Sequence, residues 1–332
     1  MPCGEWDCEE SKMKYVIIGN SGHYPQVLEA MRNGETCAPC AVAPGSRAED
    51  VRALAEKCGC RLYDDWRRML DEEAPELAAV NPWFADTAGI SIECLKRGVH
   101  VYSEKPVATE MDALAALEKA YRESLAALGC MLNLNCCAWY KALSGAIENG
   151  EIGEVRLIHG QKSYRMGQRG EVYHRRETYG GTIPWIGIHA VDWVLRLGGK
   201  CEWVAATHTT AANRGNGDME TACAVLLQME NGVIGTVECD FLRPTGSARH
   251  DDDRLRVTGT RGMLEAIDGR VYLENENPRR ELALPAGENP FTRFVNAIGT
   301  PLADELAREA FEDTRVCLLA RRAADEGTIV RA

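Results

Sequence analysis

Short apolar runs alternate with helical stripes from Lys14 onward. Tyr15–Ile18 reads as a strand ending at Gly19, and Tyr24, Val27, Leu28 and Met31 then recur at spacings of three and four, as in a helix lying on a sheet. Ala41–Ala43 is a second strand, stopped by Pro44 and Gly45, with Val51, Leu54 and Ala55 opening the next helix. Leu77–Val80 and residues 99–102 are further strands, separated by a stripe of Ala88, Ile92 and Leu95. Met111, Leu114, Leu117, Tyr121 and Leu125 mark a longer helix, and residues 131–134 close the series. Such alternation is how a parallel sheet with crossover helices is written.

Beyond about residue 150 the period changes. Val155–Tyr164 and residues 203–207, 223–229, 233–241 and 255–257 read as longer strands with turns between them. Asn231-Gly232 between two apolar runs is a strong hairpin signal, and Asp268-Gly269 repeats it. A final helix carries Ala303, Leu306, Ala307, Ala310, Phe311, Thr314, Cys317 and Leu318 on one stripe. The expected fold class is α/β, with a doubly wound parallel sheet over residues 13–137 and an α/β domain with a large, mainly antiparallel open sheet over 138–332. Residues 1–12 form a disordered preamble in this reading, and the C-terminal helix packs back on the first domain.

Composition narrows the classes further. The chain has 332 residues, 45% hydrophobic and 27% charged, an ordinary globular mixture, with a net charge of −12. No basic run stands out, so neither nucleic acid nor an anionic membrane surface is the expected partner. The most apolar segment, residues 125–140, is interrupted by Asn133 and Asn135, and no export pattern opens the chain; a cytoplasmic protein is expected. Of fourteen cysteines, Cys37/Cys40 and Cys58/Cys60 are the close pairs. Neither has paired zinc-ligand spacing, so they read as packing residues and no metal site is expected.

Candidate chemistry begins where strand one enters Gly19-Asn20-Ser21-Gly22-His23 and then a helix. At that position a doubly wound fold sets phosphates against backbone N–H groups and a helix N-terminus. Two glycines stand where a full dinucleotide fingerprint has three. After the second strand the chain reads Ala43-Pro44-Gly45-Ser46-Arg47, with no acid to take ribose hydroxyls. Ser46 and Arg47 there either accommodate a 2′-phosphate or are a solvated helix start. Asn81-Pro82-Trp83 and Glu104-Lys105-Pro106 follow later strands at their ligand-binding ends.

Together with Gly180-Gly181 and the following Gly187-Ile188-His189-Ala190-Val191-Asp192, these motifs resemble the Gfo/Idh/MocA family of sugar and polyol oxidoreductases, over essentially everything from Met13 onward. The resemblance implies a Rossmann domain binding NAD or NADP and a second domain that supplies the substrate pocket and commonly the interface of a homodimer or homotetramer. It implies Lys105 beside the reacting hydroxyl, His189 as proton donor and acceptor, and Pro106 as a proline that often has a cis bond. Those residue types suit the chemistry. Hydride transfer from an alcohol needs a partner for the hydroxyl proton, and an imidazole with pKa about 6.5 serves at neutral pH.

Two departures stand out. Trp185 occupies the place, four residues before His189, where the family usually has aspartate, and offers a flat apolar wall for a sugar or a nicotinamide. Cys137 or Ala138 stands where a basic side chain is usual. Arg165, His174, Arg176 and Asp192 complete the candidate substrate residues. Nicotinamide-dependent elimination or glycosidic cleavage, and a non-catalytic nucleotide-binding sensor, remain as alternative functions.

Overall fold

The computed structural model describes residues 13–132 and 136–332. The expected preamble of residues 1–12, and positions 133–134 of the expected closing strand, lie outside the described residues. The chain forms two compact units. The first takes in the described chain up to Glu104, then Ala116–Met131 and Asn289–Ala307; the second takes in Lys105–Ala115, Leu132–Glu288 and Arg308–Ala332.

In the first unit β1 (Tyr15–Ile18), β2 (Ala41–Ala43), β3 (Arg61–Leu62), β4 (Leu77–Val80), β5 (His100–Ser103) and β6 (Leu128–Cys130) form one parallel sheet in the order β3-β2-β1-β4-β5-β6. Both faces of its central strands are covered, so β1, β2 and β4 are continuously buried and read as unbroken apolar runs. The helices are α1 (Pro25–Arg32), α2 (Arg52–Cys58), α3 (Trp66–Glu73), α4 (Thr87–Lys96), most of α5 (Met111–Glu123) and a later helix, Pro290–Ala297. Phe291 and Phe294 of that later helix lie against Tyr102 with ring centres 5.2 and 5.3 Å away.

The closing strand lies earlier than the apolar run suggests. A Cβ on Gly129 would meet Phe294 at 2.4 Å, so the strand needs a residue without a side chain there, and β6 is built around it. Leu125, read as part of the preceding helix's buried stripe, is fully exposed because α5 ends at Glu123.

The second unit contains α6 (Ala138–Glu148), β7 (Val155–Tyr164), α7 (Arg176–Tyr179) and α8 (Ile188–Gly198). The strands β8 (Cys201–Thr209), β9 (Ala222–Met229), β10 (Ile234–Asp240), β11 (Asp251–Gly259), β12 (Met263–Ile267), β13 (Arg270–Glu274), β14 (Arg280–Glu281) and β15 (Ile329–Arg331) follow. With Pro290–Ala297 as α9, the last helix is α10 (Pro301–Glu326). The sheet runs β14-β13-β12-β11-β7-β10-β9-β8-β15, antiparallel except where β7 meets β10. Both predicted hairpins form. Asp268 and Gly269 each have positive φ, at 53° and 74°, as a two-residue turn with matching twist requires.

One face of this sheet is covered by α8. Gly160 and Gly235 permit the approach, since a Cβ on Gly235 would meet Val194 at 2.3 Å. On the other face Leu157, Leu226 and Ile234 are exposed, the face type on which the sequence reading expects self-association. No described helix is long and apolar enough to cross a membrane.

Candidate functional site

The loop after β1 sits where the strand order reverses between β1 and β4, the point at which open α/β sheets bind ligands. Gly19 and Gly22 both adopt left-handed φ, 82° and 63°. A Cβ on Gly19 would meet the Asn81 carbonyl oxygen at 2.2 Å, and one on Gly22 the Glu104 carboxyl at 2.3 Å. Two glycines thus suffice for close backbone approach. Helix α1 follows with Pro25 in its first turn, no side-chain cap and no acid of its own there, and the buried Glu104 carboxylate sits at His23 N just before it. This cradle fits a dinucleotide.

Asn81 ties the loop to β4: its carbonyl accepts from Ser21 N at 2.8 Å, and its side chain donates to Ser21 O at 3.3 Å. Pro82 packs against Gly45, and Trp83 N donates to Ser46 Oγ at 2.9 Å. Glu104 is fully buried and accepts from His23 N at 2.6 Å, with its other oxygen 2.9 Å from His23 Nδ1. The expected residues Gly19, Ser21, Gly22, His23, Ser46, Asn81, Pro82, Trp83 and Glu104 are therefore gathered in the first unit. Asn20 donates to the Asp50 carbonyl at 2.8 Å. Lys105 and Pro106 belong to the second unit.

The reading of the segment after β2 needs correction. A carboxylate is present: Glu49, six residues past the strand, folds back to accept from Gly45 N and Ser46 N at 2.8 Å each and from Ser21 Oγ at 3.0 Å. Burial pushes its carboxyl above the ordinary value. Ser46 is not open to a phosphate, because its hydroxyl donates to Asp86 at 2.6 Å while accepting from Trp83. Arg47 is exposed. Next to Glu49 opens a cleft of about 860 Å³, lined by Pro44, Val51, Tyr63 and Arg68 among others. No spacing rule reveals Glu49, since only the turn at Pro44-Gly45 brings it back.

In the second unit Lys105 is 2% exposed and His189 4%. The Lys105–Pro106 peptide is cis, as the resemblance implies. The segment before His189 explains how Lys105 is held. Residues Ile183–Gly187 form a π-helical turn running into α8. Such a turn misaligns the helical ladder and frees carbonyl groups. The Trp185 carbonyl accepts a hydrogen bond from the Lys105 ammonium. Pro184 has no N–H to give the Gly180 carbonyl, and Arg321 donates to that carbonyl instead at 2.7 Å.

The Gly180-Gly181 turn is fastened by Glu220, which the sequence reading missed. Its carboxylate accepts from Thr182 N at 3.0 Å and from the Tyr179 hydroxyl, and pairs with Arg176. Burial alone would raise that carboxyl, but the Tyr179 hydrogen bond and the Arg176 guanidinium hold it below the usual range.

Arg176 is therefore not a free substrate ligand: it lies between Glu220 and Asp325, the latter at 2.7 Å. Asp192 likewise pairs with Arg196 at 3.4 Å, and Arg196 also reaches Glu309, Glu312 and Asp313 at 3.0, 3.2 and 3.1 Å. Burial pushes the Asp313 carboxyl well up, with Asp192 adding to the effect. His174 accepts at its carbonyl from Asp218 N at 2.9 Å. The Trp185 ring is 7% exposed, with Tyr173 4.3 Å and Phe241 5.5 Å away, so protein neighbours cover most of the wall expected for a sugar. Its carbonyl, rather than its ring, is the part that reaches Lys105.

Arg169, in a glycine-flanked loop with no period to point it out, completes this region. Its guanidinium lies 4.5 Å from the Phe241 ring centre, 5.5 Å from Trp185 and 5.9 Å from Tyr173. Nη2 donates to the Arg165 carbonyl at 3.2 Å, while Nε is buried with no partner among the described residues. Burial pushes the group below its ordinary pKa. Cation–π contacts contribute about 0.5–2 kcal/mol, less than the several kcal/mol that desolvating an unpaired charge costs.

Fold and loop geometry define a dinucleotide-binding Rossmann unit. The model of the NAD-binding Rossmann fold of the oxidoreductase family matches residues 13–130, and that of the Gfo/Idh/MocA C-terminal domain matches 140–265. The chain belongs to the Gfo/Idh/MocA family. It is similar to an inferred oxidoreductase of solved structure from Thermotoga maritima, at 35% identity and TM-score 0.91, covering 96% of this chain and 100% of that one. An inositol 2-dehydrogenase from Saccharopolyspora erythraea is 25% identical over 72% of each chain. An inositol dehydrogenase homologue from Azotobacter vinelandii, solved with NAD+, shares the fold at 18% identity and TM-score 0.82, over 97% of each chain.

Proposed function

We propose that the protein moves hydride between NAD and a hydroxyl carbon of a sugar or polyol. The observation that carries this reading is the placement of Lys105 on the Trp185 carbonyl, one helical turn before His189, with both side chains almost wholly buried. When bound, the nicotinamide supplies or accepts the hydride. His189 takes the hydroxyl proton during oxidation and returns it during reduction. Lys105, its ammonium held by the Trp185 carbonyl, polarises the substrate oxygen. The π-turn carbonyl thus replaces one function of the missing aspartate, holding the lysine. Turnover is measured with inositols and aldoses while nicotinamide absorbance is followed. Lys105→Met and His189→Ala each lower kcat by about 10²–10⁴-fold. Wild-type rates in both variants would sink the assignment.

NAD is preferred to NADP in this reading, because Glu49 and Asp86 flank the Ser46 loop and oppose the charge of a 2′-phosphate. Calorimetric titration gives NADH the tighter binding and Glu49→Gln a smaller NADH-to-NADPH ratio. Tighter NADPH binding by the wild type contradicts it.

A further inference from the structure

Four other half-buried arginines of the second unit have carboxylate partners. Arg176 has Glu220 and Asp325, Arg196 has four acids, Arg243 has Asp252 at 2.9 Å and Arg321 has Glu110 at 2.8 Å. Arg169 differs: among the described residues no carboxylate forms an ion pair with it. Its faces are occupied by aromatic rings, which leaves charge-directed bonding to the edge of the guanidinium. A guanidinium edge suits planar, two-point recognition of an oxyanion.

A second cation, Arg165, lies four residues away and is bonded to it through its carbonyl. Arg165 accepts at its carbonyl from Arg169 and donates from its own side chain only to the Thr245 carbonyl, at 3.4 Å. His250 donates no charge balance either: burial, then Arg169 and Arg165, push its pKa down, which reports positive charge at close quarters. Asp251, which pulls the other way, pairs with Arg249 at 3.6 Å. A chain of net charge −12 thus sets Arg169, with no carboxylate ion partner among the described residues, beside the tryptophan whose carbonyl holds Lys105.

We infer that Arg169 is an anion anchor and that the substrate is a sugar or polyol bearing an oxyanion, carboxylate or phosphate, which completes the charge balance left open around this guanidinium. Neutral sugars leave Arg169 desolvated and unpaired; an anionic one is drawn to it and oriented by it. The inference rests on the sugar or polyol reading above and adds the charge class of the substrate.

The test is calorimetry on the full chain saturated with NADH, using D-glucuronate, D-glucose 6-phosphate and D-glucose. At least one anion binds tenfold or more tightly than D-glucose, and which one does so separates carboxylate from phosphate. Arg169→Gln abolishes that preference, and Arg169→Lys keeps part of it. Equal binding of all three, or a preference that survives Arg169→Gln, overturns the inference. A ligand-free melt supplies the second readout. Removing an uncompensated cation leaves Tm unchanged or raises it by a few degrees. A fall of more than about 5 °C marks Arg169 as structural and overturns the anchor. If NADH binds but none of the three sugars does, the failure falls on the sugar reading, and the melt still decides the role of Arg169.

Discussion

The loop after β1 and the region around Trp185 solve opposite electrostatic problems. Around the loop the side chains are acidic: Glu49, Asp86 and Glu104 accept from backbone N–H groups, serine hydroxyls and His23. Around Trp185 they are basic, with Lys105, Arg165 and Arg169 bonded to carbonyls. The region that resembles a phosphate site is thus rich in carboxylates, and the region next to the proton-handling residues is rich in cations. A backbone cradle recognises phosphate through aligned N–H dipoles and needs no cationic side chain, whereas a variable ligand is selected by side-chain charge.

The largest expected effect sharpens this contrast within the second unit. Arg196 is surrounded by four carboxylates, so Arg196→Gln leaves them uncompensated and costs about 3–5 kcal/mol of stability, read as a large fall in Tm. The ligand-free Arg169→Gln protein shows no such loss. Similar melting of the two variants would erase the distinction between a paired and a reserved cation.

Next comes the cradle itself. Gly22→Ala places a methyl group against a buried carboxylate pinned by His23 and forces a left-handed φ on alanine. Strain of about 1–3 kcal/mol follows, and NADH binding weakens about tenfold or more in calorimetry. Undiminished NADH affinity would remove the loop from the cofactor site.

The smallest effect concerns Glu49. Its carboxyl is raised above the ordinary 4.5 by burial, so the folded state binds more protons than the unfolded state as pH rises past that value. Stability associated with this group is therefore lost with increasing pH and recovered on acidification. Glu49→Gln gains its advantage in Tm at pH 7, and the gain shrinks toward pH 5. A difference that grows on acidification would show that the charged form is the one the fold favours.

Much of the first sheet was legible because its strands are buried on both faces, so Tyr15–Ile18 and Leu77–Val80 stand out as apolar runs between helical stripes. The second sheet was read only in part. Its two hairpin turns carried their own chemistry at Asn231-Gly232 and Asp268-Gly269, but β12, β13 and β14 are short and half-exposed, with little to separate them from loops. Of the candidate site, Lys105 and His189 were named from motifs. Arg176 and Asp192 were named as ligands, yet each has an ion partner: Glu220 and Asp325, from distant parts of the chain, for the first, and Arg196, one helical turn further along α8, for the second.

By itself, then, the sequence determined the periodicities, the glycines and the motif residues, since these depend on neighbours along the chain. Tertiary structure decided which charges are balanced. Glu49 reaches Ser21 across a turn, Glu220 fastens a glycine pair some forty residues earlier, and Arg169 has no carboxylate partner among the described residues. Charge balance in a low-dielectric interior depends on what folding brings within a few ångströms, and no local spacing encodes it.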